Sequence, residues 1–320
     1  MNALMDRLKK LDTGLSVRIV VLIVLIIVLS TINKNFLSAY NISTLLETIA
    51  LLMVMSIGMT FVLILGSIDL SIGGVISCGS VIMARLFPVI GGWAYPAILG
   101  FGLLTGFLNG LIFTKLKIPS FITTLATMSV YASLSLVISG ATPLQIDTAL
   151  KPMTAWVNIK FGTIPLVFIL VCLVVAVFWV VQNKTKLGKY CFAVGANERA
   201  ARMAGVRVDR TKIIIFTLAG LCFTLGTIIV TTKLMSGIPT VGNSYTLLVI
   251  AAVALGGTSL AGGKGGVLLT LLGATLSVVI TNGMVVAGVD VYWQQIVYGV
   301  IIIVSLATSV DRSKTNLIVK

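Results

Sequence analysis

Unbroken apolar runs constrain this chain more than any other feature, and VRIVVLIVLIIVLSTI at 17–32 is the plainest of them. Hydrocarbon gives the peptide backbone no hydrogen-bonding partner, so a spanning segment must be a helix or a strand of a closed barrel. Barrel strands alternate apolar and polar residues; these runs do not. Further runs fall at 45–65, 70–87, 94–116, 119–139, 164–182, 213–235, 244–257, 267–289 and 294–310. A helix needs about 20 apolar residues to cross a bilayer, so the expected fold is all-α integral membrane with about ten transmembrane helices in one domain. The run at 244–257 is short and reads as a half-span completed by bent or re-entrant neighbours.

Composition agrees: with 58% hydrophobic and 10% charged residues, no single soluble core could hide so much apolar surface. The net charge of +14 sits in loops flanking the runs. That is the positive-inside pattern, and it argues for membrane lipid, not nucleic acid, as the surrounding partner. The chain has no His, which removes a histidine-based triad, a His-ligated metal and a His proton relay. Four cysteines (Cys78, Cys172, Cys191, Cys222) are scattered without CxxC spacing, so neither a disulfide frame nor a zinc site is expected. No catalytic residue, metal or cofactor is expected. The first run lacks a small-residue cleavage site, so no cleavable signal peptide is expected either.

Orientation follows from the basic residues. They cluster at the N-terminus (Arg7, Lys9, Lys10, Arg18), the turn at 115–118 (Lys115, Lys117), the segment 183–212 and the tail (Arg312, Lys314, Lys320). Placing all four clusters on one side requires even numbers of spans between them, and the runs supply four, two and four. Both termini are therefore expected in the cytoplasm, with 140–163 as the main external loop and 33–44 as a smaller one. Spans 2–5 then start outside and spans 7–10 inside, a possible inverted repeat of the transporter kind. Asn109-Gly110 in span 4 and Asn282-Gly283 in span 9 echo each other, though two coincidental packing glycines would look the same.

Two glycine-rich breaks interrupt the runs, GSIDLSIGG at 66–74 and GGTSLAGGKGG at 256–266. Glycine lets the backbone leave a helix or lets helices approach closely. Asp69 reads either as an N-cap for a helix starting at Leu70 or as a solute contact; an ionisable group at membrane depth needs a partner or a purpose. The second break misses a phosphate-binding loop, because Thr258 replaces the first Gly and Gly265 follows Lys264 where Ser or Thr belongs. Hydroxyls and amides dominate the polar groups within the spans. Asp69, Ser71, Asn109, Thr258, Ser259 and Asn282 are the candidate pathway residues. They suit a neutral, hydroxyl-rich solute, since Glu47, Asp69 and Asp290 show no buried basic partner in the sequence.

The segment 183–212 is a polar island holding eight of the 23 Lys and Arg residues. Asn197 is placed to cap a helix, with Glu198 at the positive end of its dipole. Ala200, Ala201 and Ala204 favour helix, and Gly205 is placed to end it left-handed. About two turns are expected, too short to persist alone in water. Flanking spans or a docked partner must hold it; an ordinary positive-inside loop with a helical turn is the plain alternative.

Together GMTFVLILGSIDLSIGG, FITTLATM, NKTKLGKYCFAVGANERAARMAGV and VALGGTSLAGGKG closely resemble the permease subunits of ribose-type monosaccharide ABC importers. That family spans ribose, arabinose, galactose, xylose and autoinducer permeases, and the resemblance covers nearly the whole chain. It implies a bacterial inner-membrane permease paired with a second copy or a paralogue. It further implies a cytoplasmic ABC ATPase and an external substrate-binding protein as partners, with ATP hydrolysis on a separate chain. By the same resemblance, Gly195, Asn197, Glu198, Ala200, Ala201, Arg202 and Gly205 stand in a helix that couples to the ATPase. The rival class is a stand-alone secondary carrier or channel for a small neutral solute, which would conduct without any partner.

Overall fold

The structure, a computed structural model, describes residues 13–290 and 292–309. Arg7, Lys9, Lys10, Arg312, Lys314 and Lys320 lie outside the described residues. Each apolar run forms a helix. The first six are α1 (Thr13–Ile32), α2 (Ala39–Ile64), α3 (Ile72–Ile90), α4 (Ala94–Lys115), α5 (Ser120–Ser139) and α6 (Leu166–Lys184). Two more, α7 (Lys186–Ala196) and α8 (Glu198–Met203), occupy the basic segment. Then come α9 (Val208–Leu234), α10 (Tyr245–Gly256), α11 (Val267–Val286) and α12 (Trp293–Ser309). The chain is thus an all-α membrane protein. Among the described residues seven stretches are long and apolar enough to cross a bilayer; the longest, of 44 residues, is α3 and α4 joined through a tight turn at Gly91–Trp93. The helices α10 and α12 are shorter.

Burial sorts the helices. α1 is exposed on most of its surface and almost wholly apolar, as a lipid-facing helix must be, whereas α2 is buried along nearly all of 49–64 and more open over its first ten residues. α2 packs on α9. Small residues make the closest approaches: a Cβ at Gly58 would lie 2.8 Å from the Ala219 Cα. The contact between α4 and α9 is tighter still. Gly102, Gly106 and Gly110 recur every fourth residue and so share one face of α4, and a Cβ at Gly106 would come within 2.2 Å of the Phe216 carbonyl oxygen. Without a hydrophobic force between helices in lipid, such close backbone packing is what holds a pair together.

The packing has an internal echo. α4 packs on α9 as α11 does on α2, α3 on α5 as α10 on α12, and α3 on α9 as α10 on α2. Exchanging α2–α5 with α9–α12 therefore leaves these pairings in place.

Two sets of loops mark the two ends of the bundle. Arg18 and Lys264 line one groove, Lys115 lies with Asp209 and Arg210, and Gly263 packs on Ala196. At the far end the loop 140–163 folds back on the helices. Its strand Leu144–Gln145 pairs antiparallel with Ser236–Gly237, and its hairpin Lys160–Phe161/Ile164–Pro165 brings Lys160 to Glu47 at 3.0 Å. Lys233 at the end of α9 also pairs with Glu47. Glu47 thus has two basic partners that the sequence did not show, and both are exposed, so the reading that it has no buried basic partner stands. Both lysines are far from it along the chain; the folded loop brings in Lys160, and the packing of α9 on α2 brings in Lys233.

Candidate functional site

Among the described residues the chain leaves helical geometry inside the bundle twice, and each departure is stitched by side chains. Between α2 and α3, residues 65–71 leave the helix: Leu65 and Gly66 turn, and 67–70 are irregular. The Ile68 N–H donates to the Ser120 hydroxyl (3.2 Å) and the Leu70 N–H to that of Thr124 (2.9 Å). Buried backbone groups freed from a helix are tolerated only with such partners, which accounts for the serine and threonines that open α5. Helix α3 starts at Ile72, not Leu70, so Asp69 is not its N-cap. Its carboxylate instead accepts the backbone N–H of Ser71 (2.8 Å) and the Ser71 hydroxyl (2.6 Å), making a turn just ahead of the helix. The Asn109 side-chain amide donates to that same hydroxyl at 2.8 Å. Asp69, Ser71 and Asn109, all buried, thus form one chain of hydrogen bonds between the break and α4.

The second departure joins α9 to α10 along residues 235–244. Gly237 lies against Ala84 and Gly242 against the Gly73 carbonyl, so the strand descends eleven residues of α3, about 16 Å. Its groups are met by serines: Ile238 N–H by Ser80 (3.3 Å), Gly242 N–H by Ser77 (2.9 Å), and the Pro239 carbonyl by the Ser135 hydroxyl (2.8 Å). The short run at 244–257 is thus the helical half of a span whose other half, SGIPTVGN, is a short strand, a turn and a single 3-10 turn that were missed as structure. Its Gly and Pro spacing was the available signal. Where α3 and α10 begin, Gly73 and Gly242 touch. Asn109 Oδ1, Thr123 Oγ1 and Thr246 Oγ1 on the surrounding helices are buried and have no hydrogen-bond partner among the described residues.

The other candidates lie elsewhere. Thr258 accepts the Gly266 N–H (3.4 Å) and Ser259 that of Ala261 (3.2 Å), so both shape the loop 257–266. Asn282 exchanges amide hydrogen bonds with Asn41 (3.1 and 3.3 Å), tying α11 to the start of α2.

The basic segment is a built unit. The Thr185 side chain caps α7 by accepting the Gly188 N–H (3.4 Å), a helix that reading the segment as a loop with one short helix overlooked. Asn197 Oδ1 accepts the Ala200 N–H at 3.0 Å and starts α8. Gly205, at φ 81°, ends it: its N–H donates to the Arg202 carbonyl and that of Val206 to the Ala201 carbonyl. These are the two bonds of a left-handed helix stop. Glu198 receives Lys212 (2.8 Å) and Arg202 (3.3 Å), and Arg202 also reaches Asp209 (2.9 Å). Partial burial alone would raise the Glu198 pKa, but hydrogen bonds and charge from Lys212 and then Arg202 outweigh it, leaving it below the ordinary value. Lys212 also lies 4.6 Å from the Phe113 ring centroid, so α8 is anchored to both helices of the tight α4–α9 pair. Ala201 is buried beneath α8, while Asn197, Glu198, Ala200, Arg202 and Gly205 face outward. Replacing Asn197 by Ala should cost α8 about 1 kcal/mol, read as roughly fivefold faster hydrogen exchange at Ala200; unchanged exchange would contradict the cap.

Gly195, near the end of α7, ties this unit to the glycine-rich loops. A Cβ there would lie 1.7 Å from the Ile64 carbonyl oxygen, which accepts the Gly263 N–H at 2.8 Å. Gly262 in turn sits against Gly66. One backbone junction therefore joins the basic segment, the end of α2 and the loop 257–266.

With this geometry in place the family can be read. Residues 41–306 match the family described as branched-chain amino acid transport system / permease component. The chain belongs to this permease family. The permease is 38% identical over 301 residues to the ribose import permease protein RbsC of Bacillus subtilis, covering 92% of this chain and 91% of that one. To RbsC of Escherichia coli it is 36% identical over 301 residues, covering 92% and 93%. To the L-arabinose transport system permease protein AraH of Escherichia coli it is 35% identical over 304 residues, covering 92% and 90%.

Proposed function

We propose that this permease is the membrane-spanning subunit of an ATP-driven sugar importer in a bacterial cytoplasmic membrane. Its relatives' names favour a sugar as cargo, and the unpartnered hydroxyl and amide oxygens where α3 and α10 meet suit a hydroxyl-rich solute. In this reading the partners are a cytoplasmic ABC ATPase, an external substrate-binding protein, and a second copy or paralogue of the permease. On the same reading the bundle end that carries the basic segment is the cytoplasmic one, and the parity of the basic clusters supports both termini inside. α2–α5 and α9–α12 are then two inverted units.

The observation that carries the reading is the junction at Gly195. The outward face of α8, with Asn197, Glu198, Ala200, Arg202 and Gly205, is the surface that the ATPase grips, and Ala201 and Gly195 form its fixed base. Movement of α7 and α8 passes through the junction to the break at 65–71 and to the loop shaped by Thr258 and Ser259. Asp69, Ser71 and Asn109 hold the first break shut, and their hydrogen bonds rearrange when the pathway opens. Asn282 holds α11 against α2 at the opposite end.

Proteoliposomes provide the test. The permease with its ATPase and binding protein should take up sugar only with ATP, and the permease alone should pass none. Flux through the chain by itself would overturn the proposal in favour of a carrier or channel. Glu198→Lys sets a third cation against Lys212 and Arg202, and should lower uptake and stimulated ATP hydrolysis together by about tenfold. Wild-type values for both would remove α8 from the coupling route.

A further inference from the structure

A groove of about 670 Å³ opens between the start of α1, the end of α10, the loop 257–266 and α12. Two cations reach it, Arg18 from α1 and Lys264 from the loop. Among the described residues neither forms an ion pair. Arg18 lies against the loop: its guanidinium is 2.3 Å from where a Cβ of Gly257 would be. Thr258 and Ser259 also line the groove. Each hydroxyl accepts a backbone N–H, which leaves its own proton to donate to an acceptor. The remaining wall is apolar, with Val17 and Val300 exposed along it. Two cations and the Ser259 hydroxyl thus stand at helix ends, above a strip that only hydrocarbon covers well, while Thr258 is buried in the wall.

We propose that this groove binds the phosphodiester head group of an anionic phospholipid. The guanidinium and ammonium neutralise the phosphate, the Ser259 hydroxyl donates to one of its oxygens, and an acyl chain runs down Val17 and Val300. Basic pockets between helices near the membrane surface are suited to such head groups. A free phosphate would use the cations and the hydroxyl but leave the valine strip bare, which is why a lipid fits better. The assignment depends on membrane insertion alone, not on which solute crosses.

The experiment titrates the purified full-length permease in detergent with dioleoylphosphatidylglycerol or dioleoylphosphatidylcholine and counts bound lipid by native mass spectrometry. The anionic lipid should be retained preferentially. Arg18→Gln and Lys264→Gln should each weaken it about fivefold and together about 30-fold, with phosphatidylcholine unaffected. Val300→Trp, which fills the groove without touching its charge, should weaken phosphatidylglycerol too, and carries the test if the double variant does not fold. Wild-type phosphatidylglycerol binding by the double variant, or by Val300→Trp in its place, would overturn the assignment. Displacement by millimolar inorganic phosphate would make it a free-anion site and overturn the lipid. A Val17→Cys chain that forms covalent dimers where the wild-type chain does not would put a second copy there instead.

Discussion

A permease carrying Gly195→Val should reach the membrane, retain its helices and lose ATP-driven uptake. The substituted Cβ would sit 1.7 Å from the Ile64 carbonyl oxygen, and that oxygen is backbone, with no rotamer to turn aside. Either α7 lifts off the end of α2, or the 2.8 Å bond from Gly263 to Ile64 breaks. Forced overpacking costs about 1–3 kcal/mol, and a buried acceptor left unmet costs about 1–3 kcal/mol more. A loss of roughly 3 kcal/mol in the link between α8 and the breaks corresponds to about a hundredfold fall in coupled uptake. The control is Gly205→Ala. That position has φ 81° but nothing within 4 Å of an added Cβ, so only backbone strain of about 1 kcal/mol is at stake, with a fall of about fivefold. Equal uptake by the two variants would show that the Gly195 contact transmits nothing.

Gly106→Leu should leave little folded permease at all. A Cβ there would press to 2.2 Å from the Phe216 carbonyl and 2.9 Å from the Thr217 Cα. The helices α4 and α9 would have to part, and with them the anchor of α8 at Phe113 and Lys212. Separation of a pair built on backbone contact leaves lipid as the only substitute, and a cost above about 3 kcal/mol is expected. In detergent the melting midpoint should drop by roughly 10 °C or more. Gly100 is on the same helix with nothing within 4 Å, so Gly100→Leu should melt as the wild type does. A shared midpoint for the two variants would refute the packing argument.

Much of this fold is visible in one dimension because lipid is a simple solvent: apolar length alone decides a helix, and each run became one. The caps of α8 were legible for the same local reason, since Asn197, Glu198 and Gly205 act within a few residues of themselves. What escaped is long-range. The irregular backbone at 235–244 is met by Ser77, Ser80 and Ser135, a hundred or more positions away. The pairing of Glu47 with Lys160 and Lys233 escaped for the same reason. Resemblance singles out Gly195 as a coupling residue, but its crossing against Ile64 escaped, because a close backbone contact leaves no mark on composition. Of the pathway candidates, polarity alone grouped six residues; distance joins Asp69, Ser71 and Asn109 and places the other three at the loop 257–266 or beside Asn41.

The hydroxyls of α5 have a mechanical consequence. Ser120 and Thr124 clasp the unwound stretch nearest the basic end, and Ser135, four turns further along the same rod, clasps the other. A stiff bar fastened to two hatches cannot slide to free one without pressing on the other. Exclusive opening, first to one compartment and then to the opposite one, would then follow from a single helix of fixed length, with no need for separate latches that must be timed against each other.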